Sequence, residues 1–513
     1  MSSRTKLLVA IASYGRGGDK YLARLIEEYQ AMPFDVRIVV VSNIEKALPR
    51  GAELKVGLPT RDPWSLPFAH KKILAGGVDD YDLFIYSEDD TLVTTNNIEA
   101  FLEVSEVLPQ NEIPGFLRYE VSPKGVRNYI SLHGHYHWDP TSVCQRSPYT
   151  FAFHTNEHSA CYLLTRQQLQ HAIDSQRYLV SPYQAKYDLA CTASTDPYTA
   201  CGFRKLICIS RLDDFLVHHL PDKYTGSEFS ASEQAFDKQV EVLMRIGEGT
   251  TKPTTLLRTE TALPAAMYSK QYDEPARQEI LADIPPSVHS VVSLGSGWGK
   301  SEKLLQEMGK QVTAVPLDPV IGACLEGTQV EVINGDISTA LTKLAGRKFD
   351  CLFISNILHL LSHPENVLKQ YADVVEPGGY VVLITCNVAT LKNTLYGFLQ
   401  RPGYRELRDF DKGGVQFVSL ASVKNWFAAA GLNLEKIDWK ATPKFAAIVQ
   451  HAQRLSGPLF GSEIIAIGKK VSAKQVENGF VQTADQRELF AAEALDREAS
   501  AVALTSHRRI SEP

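Results

Sequence analysis

The stretch that decides the fold of the C-terminal half has the sequence VVSLGSGWG and occupies residues 291–299. It opens as a short apolar run of strand length and then places glycine at three alternate positions, Gly295, Gly297 and Gly299. Glycine allows a tight turn and a close approach of the backbone to a ligand. The stretch therefore predicts a buried strand, a tight turn at a ligand and the start of a helix.

Further segments of strand length follow at the spacing of an α/β unit. Residues 312–317 form an apolar run that ends at Asp318, nineteen residues after Gly299. A carboxylate in this position can bind the two hydroxyls of a ribose. Residues 349–356 predict a fourth strand, and the Glu-Pro-Gly-Gly turn at residues 376–379 precedes a fifth.

Over residues 268–470 this series resembles the class I methyltransferases that use S-adenosylmethionine. The resemblance implies that the three glycines face the methionine and ribose of the cofactor, and that Asp318 holds the ribose. It also implies that Asp336 meets the adenine amine while Ile337 packs on the ring. The family often has Asp or Glu two residues before the first glycine, where this chain has Ser293. That departure leaves the amino end of the cofactor less well held.

Other glycine-rich loops fit the same stretch less well. A P-loop would need glycine at Leu294, and a dinucleotide fingerprint would need glycine at Lys300. The motif of methyltransferases that modify nucleic-acid amino groups is missing after Ser355. Residues 356–363 have the sequence NILHLLSH instead, which is similar to small-molecule methyltransferases that modify oxygen or carbon. His359 or His363 is therefore a candidate base for an oxygen acceptor, and packing of the His359 ring over the cofactor is the alternative interpretation.

The N-terminal half begins with an α/β pattern of its own. Apolar runs at residues 7–12, 36–41 and 83–86 have the length of buried strands, and residues 21–29 have the spacing of an amphipathic helix. This alternation predicts a largely parallel sheet covered by helices.

Three acidic residues, Glu88, Asp89 and Asp90, stand at the end of the strand predicted at residues 83–86. Ligands of open α/β sheets bind beyond the carboxyl ends of the strands. Adjacent carboxylates repel one another unless water or a cation neutralises them. Mg²⁺ or Mn²⁺ takes one or two carboxylates and shares the rest of its shell with substrate phosphates. The triplet therefore indicates either a divalent-metal site or a solvated acidic turn.

Residues 81–90 as a whole resemble the Asp-x-Asp motif of GT-A glycosyltransferases, here in a Glu-x-Asp form. The resemblance implies that Asp90 and then Glu88 bind the metal. It also implies that Asp89 contacts the ribose of the donor, or the metal through water.

Residues 213–221 resemble the closing segment of the same enzymes, which often carries a further metal-binding histidine. This implies His219 as a ligand and His218 as the second choice, with a structural histidine as the alternative. The opening loop lies where GT-A folds hold the nucleotide, which implies Tyr14 against the base and Arg16 at phosphate.

An inverting glycosyltransferase needs a base to take the proton of the acceptor hydroxyl. Asp196 is the first candidate, Asp188 the second and Glu157 the third. Asp196 precedes Pro197, which is also the signature of a helix N-cap, so both interpretations remain open. A nucleotidyltransferase would share the sheet and the metal, but the glycines at residues 15–18 lack the order of that class.

The composition limits the partners and the compartment. The chain has 513 residues, 53 Lys+Arg and 59 Asp+Glu, and its formal net charge of −6 argues against a protein built to grip nucleic acid. No apolar stretch has membrane-spanning length, and the N-terminus lacks the cleavage site of a secretory signal. The eight cysteines include no Cys-x-x-Cys pair. We therefore expect a cytoplasmic protein without a transmembrane segment.

The predicted fold class is α/β, with two nucleotide-binding domains, the first GT-A-like and the second Rossmann-like. The expected division is a GT-A-like domain at residues 1–228, a helix and linker at 229–265, a methyltransferase domain at 266–471 and a polar tail at 472–513. The polar linker predicts halves that fold separately.

The expected function is bifunctional. One domain transfers a sugar from a nucleotide-sugar donor to a glycan acceptor with Mn²⁺ or Mg²⁺, and the other methylates a sugar hydroxyl with S-adenosylmethionine. Bacterial surface polysaccharide synthesis is the expected setting, with peripheral association to a membrane-bound assembly system. The alternative is a methyltransferase beside a non-catalytic, glycan-binding GT-A-like module.

Overall fold

The computed structural model describes residues 4–130, 135–227, 230–451 and 453–471, so the predicted tail at 472–513 lies outside the described residues. The strands of the N-terminal half are β1 (Lys6–Ser13), β2 (Asp35–Ser42), β3 (Ala52–Val56), β4 (Leu83–Glu88), β5 (Thr91–Leu92), β6 (Glu112–Pro114), β7 (Leu117–Val121), β8 (Arg127–Ile130), β9 (Trp138–Arg146), β10 (Tyr149–His154), β11 (Cys161–Thr165), β12 (Arg204–Cys208), β13 (Leu216–His219) and β14 (Ser230–Ser232). Its α-helices are α1 (Asp19–Ala31), α2 (Ala69–Ala75), α3 (Thr95–Ser105), α4 (Arg166–Asp174), α5 (Leu189–Thr199) and α6 (Glu233–Gly247).

The first sheet has the strand order β11-β4-β1-β2-β3. β1 pairs in parallel with both β2 and β4, as the alternation of apolar runs predicted, whereas β11 runs antiparallel to β4. The chain order reverses at β1, because β2 lies on one side of it and β4 on the other. The carboxyl ends of β1 and β4 therefore flank the kind of crevice in which open α/β sheets bind ligands.

Two smaller sheets complete the N-terminal half. Their strand orders are β6-β12-β10-β9 and β14-β8-β7-β13-β5. In the second of these, β13 pairs with β5, and His219 stands opposite Thr91. This pairing places β13, which is distant in the sequence, next to the end of the acidic triplet.

The C-terminal half is built on one seven-stranded sheet of order β17-β16-β15-β18-β19-β21-β20. The strands are β15 (Ser290–Ser296), β16 (Gln311–Pro316), β17 (Glu331–Val332), β18 (Phe349–Ser355), β19 (Val375–Cys386), β20 (Leu432–Ala441) and β21 (Gly461–Lys470). The α-helices are α7 (Gln278–Leu281), α8 (Lys300–Glu307), α9 (Pro319–Gly322), α10 (Ile337–Lys343), α11 (Pro364–Ala372), α12 (Leu391–Phe398), α13 (Phe410–Gly413), α14 (Leu420–Ala429), α15 (Ala446–His451) and α16 (Gln453–Phe460).

The strand, turn and helix predicted at residues 291–299 are present as β15, the glycine loop and α8. β15 lies between β16 and β18 and is parallel to both, so the loop opens at the carboxyl edge of the sheet. In the described part of the chain, no helix is long and apolar enough to cross a membrane.

The two halves share an apolar cluster around α6. Phe236 and Leu243 of α6 pack in one cluster with Trp138 of the N-terminal half and with Val320 and Ala323 of the C-terminal half. The ring of His137 also stacks on Tyr272, with centroids 4.0 Å apart. The polar linker thus joins two halves that bury apolar surface against each other. The sequence, which predicted halves that fold separately, did not indicate this contact.

Candidate functional site

The glycine loop between β15 and α8 uses left-handed backbone conformations at Gly295 (φ +84°) and Gly299 (φ +74°). Gly297 is needed for a different reason, since a Cβ there would lie 2.0 Å from the carbonyl oxygen of Tyr272. The N–H of Trp298 donates to that same carbonyl at 2.9 Å. The resemblance implied that Gly297 faces the cofactor. In the structure, the backbone of Tyr272 occupies the space beside Gly297.

Asp318 follows β16, as predicted, and is only 3% exposed. Its Oδ1 accepts a hydrogen bond from the N–H of Ile321 at 2.8 Å and so caps α9. Burial raises the pKa of this carboxyl to about 7, although the amides of α9 and the hydroxyl of Tyr272 oppose the shift. A ribose would therefore meet a carboxyl that already has internal partners.

Two carboxylates lie beside the glycine loop although Ser293 is not acidic. The hydroxyl of Ser293 donates to Oε1 of Glu302, in the first turn of α8, at 2.6 Å. Glu274 accepts from Ser355 at 2.8 Å and pairs with Lys270 at 2.7 Å. Burial raises the pKa of Glu302, and Lys270 lowers that of Glu274 against the effect of burial. Sequence reasoning missed both glutamates. The only signal was for Glu302, as an acidic residue early in the helix after the loop.

The side chains at the loop have the charges and polar groups that S-adenosylmethionine requires, but the pocket between them is too small to hold it without a movement of the chain. Glu274, Glu302 and Ser296 line a pocket of about 20 Å³ together with the glycines. The Ser296 hydroxyl is buried, and no described residue forms a hydrogen bond with it. Two carboxylates suit the ammonium of the cofactor, and Asp318 and the unpartnered hydroxyl suit its polar oxygens.

Asp336 and Ile337, which were predicted to bind the adenine, and the candidate base His359 differ in how deeply they are buried. Asp336 caps α10 through the N–H of Thr339 at 2.7 Å, which lowers the pKa of the carboxyl. Ile337 is partly buried against the core. His359 is fully buried, its Nε2 donates to the carbonyl of Tyr268 at 2.8 Å, and burial lowers its pKa to about 4. An imidazole with this pKa is a weak base at neutral pH, which favours the packing interpretation of His359.

An acidic cleft of about 490 Å³ opens at the carboxyl ends of β1 and β4. Tyr14 and Trp64 line it with rings that are 56% and 60% exposed, and Glu88 and Asp89 line it as well. Exposed aromatic faces beside carboxylates suit a ligand with a planar base and a polar part. Arg16 does not line the cleft, because its guanidinium donates to the carbonyl of Glu45 at 3.3 Å.

Asp90 and His219 come together through the pairing of β5 with β13. The Nε2 of His219 lies 3.3 Å from Oδ2 of Asp90, and its Nδ1 bonds Oε1 of the buried Glu120 at 2.6 Å. A carboxylate behind the imidazole is the usual support of a metal-binding histidine. His218 pairs instead with Asp222 at 2.9 Å. Of the two predicted histidines, His219 is the one beside Asp90.

Glu88 does not complete a three-ligand group with this pair. Its Oε1 lies 3.4 Å from Nε2 of His158. Among the residues that the structure describes, no group of three or more His, Cys, Asp or Glu side chains could hold a metal ion. Asp90 and His219 therefore form a pair and not a closed protein cage for a metal ion.

Asp89 is tied to the opening loop. The hydroxyl of Ser13 donates to its carboxylate, and Lys46 donates to that hydroxyl at 2.6 Å while pairing with Asp19 at 2.7 Å. Burial raises the pKa of Asp89 to about 6. Sequence reasoning missed Ser13 and Lys46, since the only signal was their place after β1 and β2.

The structure reorders the candidate bases of the cleft. Asp196 is fully buried, pairs with Lys71 and accepts from the hydroxyl of Tyr183 at 2.7 Å. The N-cap of α5 is Asp188, so the predicted helix start at Asp196 is wrong. Asp188 is exposed, whereas Glu157 is partly buried. Because a base must reach the acceptor, Asp188 replaces Asp196 as the first candidate.

The match to a protein family concerns the C-terminal half. Residues 268–437 match the family described as "Methyltransferase domain". The ubiquinone biosynthesis O-methyltransferase of Xanthomonas axonopodis pv. citri (strain 306) is 25% identical over 177 residues, which are 32% of this chain and 71% of that protein. A SAM dependent methyltransferase from Archaeoglobus fulgidus aligns at 17% identity over 36% of this chain and 87% of its own, with a TM-score of 0.27. An S-adenosylmethionine dependent methyltransferase from Mesorhizobium loti aligns at 15% identity over 39% and 100%, with a TM-score of 0.28.

Proposed function

We propose that the class I, S-adenosylmethionine-dependent methyltransferase domain at residues 268–437 methylates a sugar hydroxyl, and that the N-terminal half transfers a sugar from a nucleotide-sugar donor to the same glycan. The methyltransferase assignment is the premise, because these residues match that family. Synthesis of a bacterial surface polysaccharide is the proposed setting. The relative in Xanthomonas is itself an O-methyltransferase, which supports oxygen as the methyl acceptor.

For methyl transfer, the side chains around the glycine loop have distinct roles. Glu302 and Glu274 hold the ammonium of the cofactor, which replaces the acidic residue absent at Ser293. Asp318 accepts from the ribose hydroxyls, and Asp336 meets the adenine amine. When bound, S-adenosylmethionine supplies the methyl group. The buried carboxylates orient it and exclude water from its amino end.

For sugar transfer, one observation carries the proposal: the 3.3 Å contact between Asp90 and His219 lies next to a cleft at the reversal point of the sheet. A divalent ion held by this pair would neutralise the charge that develops on the departing diphosphate. Tyr14 and Trp64 bind the base between exposed rings. Asp188 takes the proton from the acceptor hydroxyl.

The test is ligand binding by the full chain, measured as a shift in melting temperature because binding stabilises the folded state by mass action. S-adenosylhomocysteine should raise the melting temperature without metal. Nucleotide-sugars should raise it only with Mn²⁺. A nucleotide-sugar effect that is absent under both conditions would reject the donor site. Glycan binding without that effect would favour the non-catalytic, glycan-binding module.

A further inference from the structure

A small cavity lies at the junction of the two halves, between the acidic cleft and the glycine loop. Arg118 and His158 line it from the N-terminal half, and Asp273, Trp298 and Ile321 line it from the C-terminal half. Its volume is about 50 Å³, several times the roughly 10–15 Å³ that one water molecule requires. The junction cavity can therefore hold an ionic group of the size of a carboxylate or a phosphate, but not a whole nucleotide.

Arg118 is the unusual member of this lining. It is only 6% exposed, and its Nε and Nη2 atoms are buried without a hydrogen-bond partner among the residues that the structure describes. It forms none of the ion pairs found among the described residues, but its charge, together with that of His219, lowers the pKa of Asp90 against the effect of burial. A buried cation without a partner is strongly unfavourable. The guanidinium is a planar fork that matches carboxylate or phosphate oxygens, so an anion from outside the chain would satisfy it.

The other ionisable side chains that line the cavity do not neutralise the charge of Arg118. Burial lowers the pKa values of His137 and His154, which favours the neutral form of both imidazoles. The carboxylate of Asp273 already pairs with Lys300 at 2.5 Å. Among the described residues that line the junction cavity, Arg118 is therefore the cation with no counter-ion within ion-pair distance.

We propose that the junction cavity binds the anionic group, carboxylate or phosphate, of an acidic saccharide, with Arg118 as its counter-ion. Asn156 and Gln239 also line the cavity and offer amide groups to oxygen atoms of the ligand. Saccharides pack against aromatic faces, and Trp298 supplies one from the glycine loop itself. The anion site is a property of this cavity alone. Its assignment to the acceptor of both transfers rests on the proposed function.

The junction cavity lies close to both proposed transfer sites. His158 lies 3.4 Å from Glu88 of the acidic cleft, and Trp298 follows Gly297 in the glycine loop. A saccharide anchored through its anionic group at Arg118 would have its other end near one of the two transfer sites. The charge would thus select an acidic acceptor over a neutral one.

The test uses the full chain without S-adenosylmethionine or nucleotide-sugar. The melting temperature is measured with glucose, glucuronate and glucose 6-phosphate at equal concentration and ionic strength. We expect a rise of at least about 2 °C with one anionic sugar and none with glucose. The sugar that gives the rise identifies carboxylate or phosphate as the ligand chemistry. Equal effects of all three sugars, or no effect of any, would overturn the proposal.

Variants locate the effect. Arg118→Met should abolish the rise, and its melting temperature without ligand should equal or exceed that of the wild type, because the unpaired charge is gone. Arg50→Met, which removes an exposed arginine elsewhere, should keep the full rise. Gln239→Leu retains Arg118 and should reduce the rise, which keeps the test decisive if Arg118→Met does not fold. A full rise in both cavity variants contradicts the site. Shifts with S-adenosylhomocysteine and with nucleotide-sugar plus Mn²⁺, measured on the same samples, report separately on the proposed function.

Discussion

The pocket at the glycine loop is largely filled by the Tyr272 segment of the same chain, whereas the acidic cleft is open. The pocket beside the glycines measures about 20 Å³, and the Tyr272 segment contacts both Gly297 and Asp318 around it. The cleft measures about 490 Å³, and the rings of Tyr14 and Trp64 are exposed in it. Under the proposed function, cofactor binding at the glycine loop must therefore move part of the chain, whereas donor binding in the cleft needs no such movement. Preformed sites lose less binding free energy to ordering.

The largest expected effect lies in the open cleft. Asp90→Asn should lower metal-dependent sugar transfer by roughly 10²–10³-fold, because the charge of the departing diphosphate loses its counter-ion. Methyl transfer by the same sample should be unchanged. Rates of both transfers, measured with Mn²⁺ in excess, check this expectation. Asp79→Asn, at an exposed position, is the control, and normal sugar transfer in Asp90→Asn would mean that the cleft is not the donor site.

Binding at the glycine loop should respond next. Charge-assisted hydrogen bonds contribute about 1.5–3 kcal/mol each, so Asp318→Ala should weaken binding of S-adenosylhomocysteine by about ten- to several hundred-fold. Glu302→Gln should weaken it by about tenfold. Calorimetric titration of the full chain measures both constants. Glu307→Gln, on the exposed side of the same helix, should bind normally. Unchanged binding in Glu302→Gln would remove this carboxylate from the cofactor site.

The buried carboxyl of the cleft should give a pH effect. The pKa of Asp89 in the folded chain is about 6, above the value of about 3.9 in an unfolded chain. Folding therefore favours the protonated form, and the resulting stability is present below pH 4 and is lost as the pH rises through 6. Relative to Asp89→Asn, the wild type should lose about 2 kcal/mol of unfolding free energy between pH 4 and 7. Urea unfolding of both proteins at several pH values tests this, and a constant difference would contradict it.

The smallest effect should come from the stack that joins the halves. His137→Ala removes a ring that lies 4.0 Å from Tyr272, and such a contact contributes about 0.5–1.5 kcal/mol. We expect a small loss of melting temperature and a change of less than about tenfold in S-adenosylhomocysteine affinity. His171→Ala, on the exposed end of α4, serves as the control. A large loss of cofactor binding in His137→Ala alone would mean that the N-terminal half holds the Tyr272 segment in place.

Local patterns predicted the backbone of both sites, but their charged partners came from elsewhere in the chain. The glycine spacing predicted β15, the turn and α8, and the apolar run before Asp318 predicted its position. Arg118 was missed because a buried, unpaired arginine has no local sequence pattern. For Asp196 the sequence left a catalytic base and a helix N-cap open, because Asp followed by Pro is typical of a helix start. Here Pro197 lies inside α5, and the helix begins after its N-cap at Asp188.

Helix α6 has a consequence for how this chain can be inherited. Phe236 and Leu243 pack against Trp138 on one side and against Val320 and Ala323 on the other. A recombination breakpoint in the polar linker at residues 249–264 would therefore separate α6 from the surface of the C-terminal half that it covers. Recombination there would leave apolar residues of both halves exposed to solvent. A relative that carries only one half should have polar residues at the positions equivalent to Val320 and Ala323.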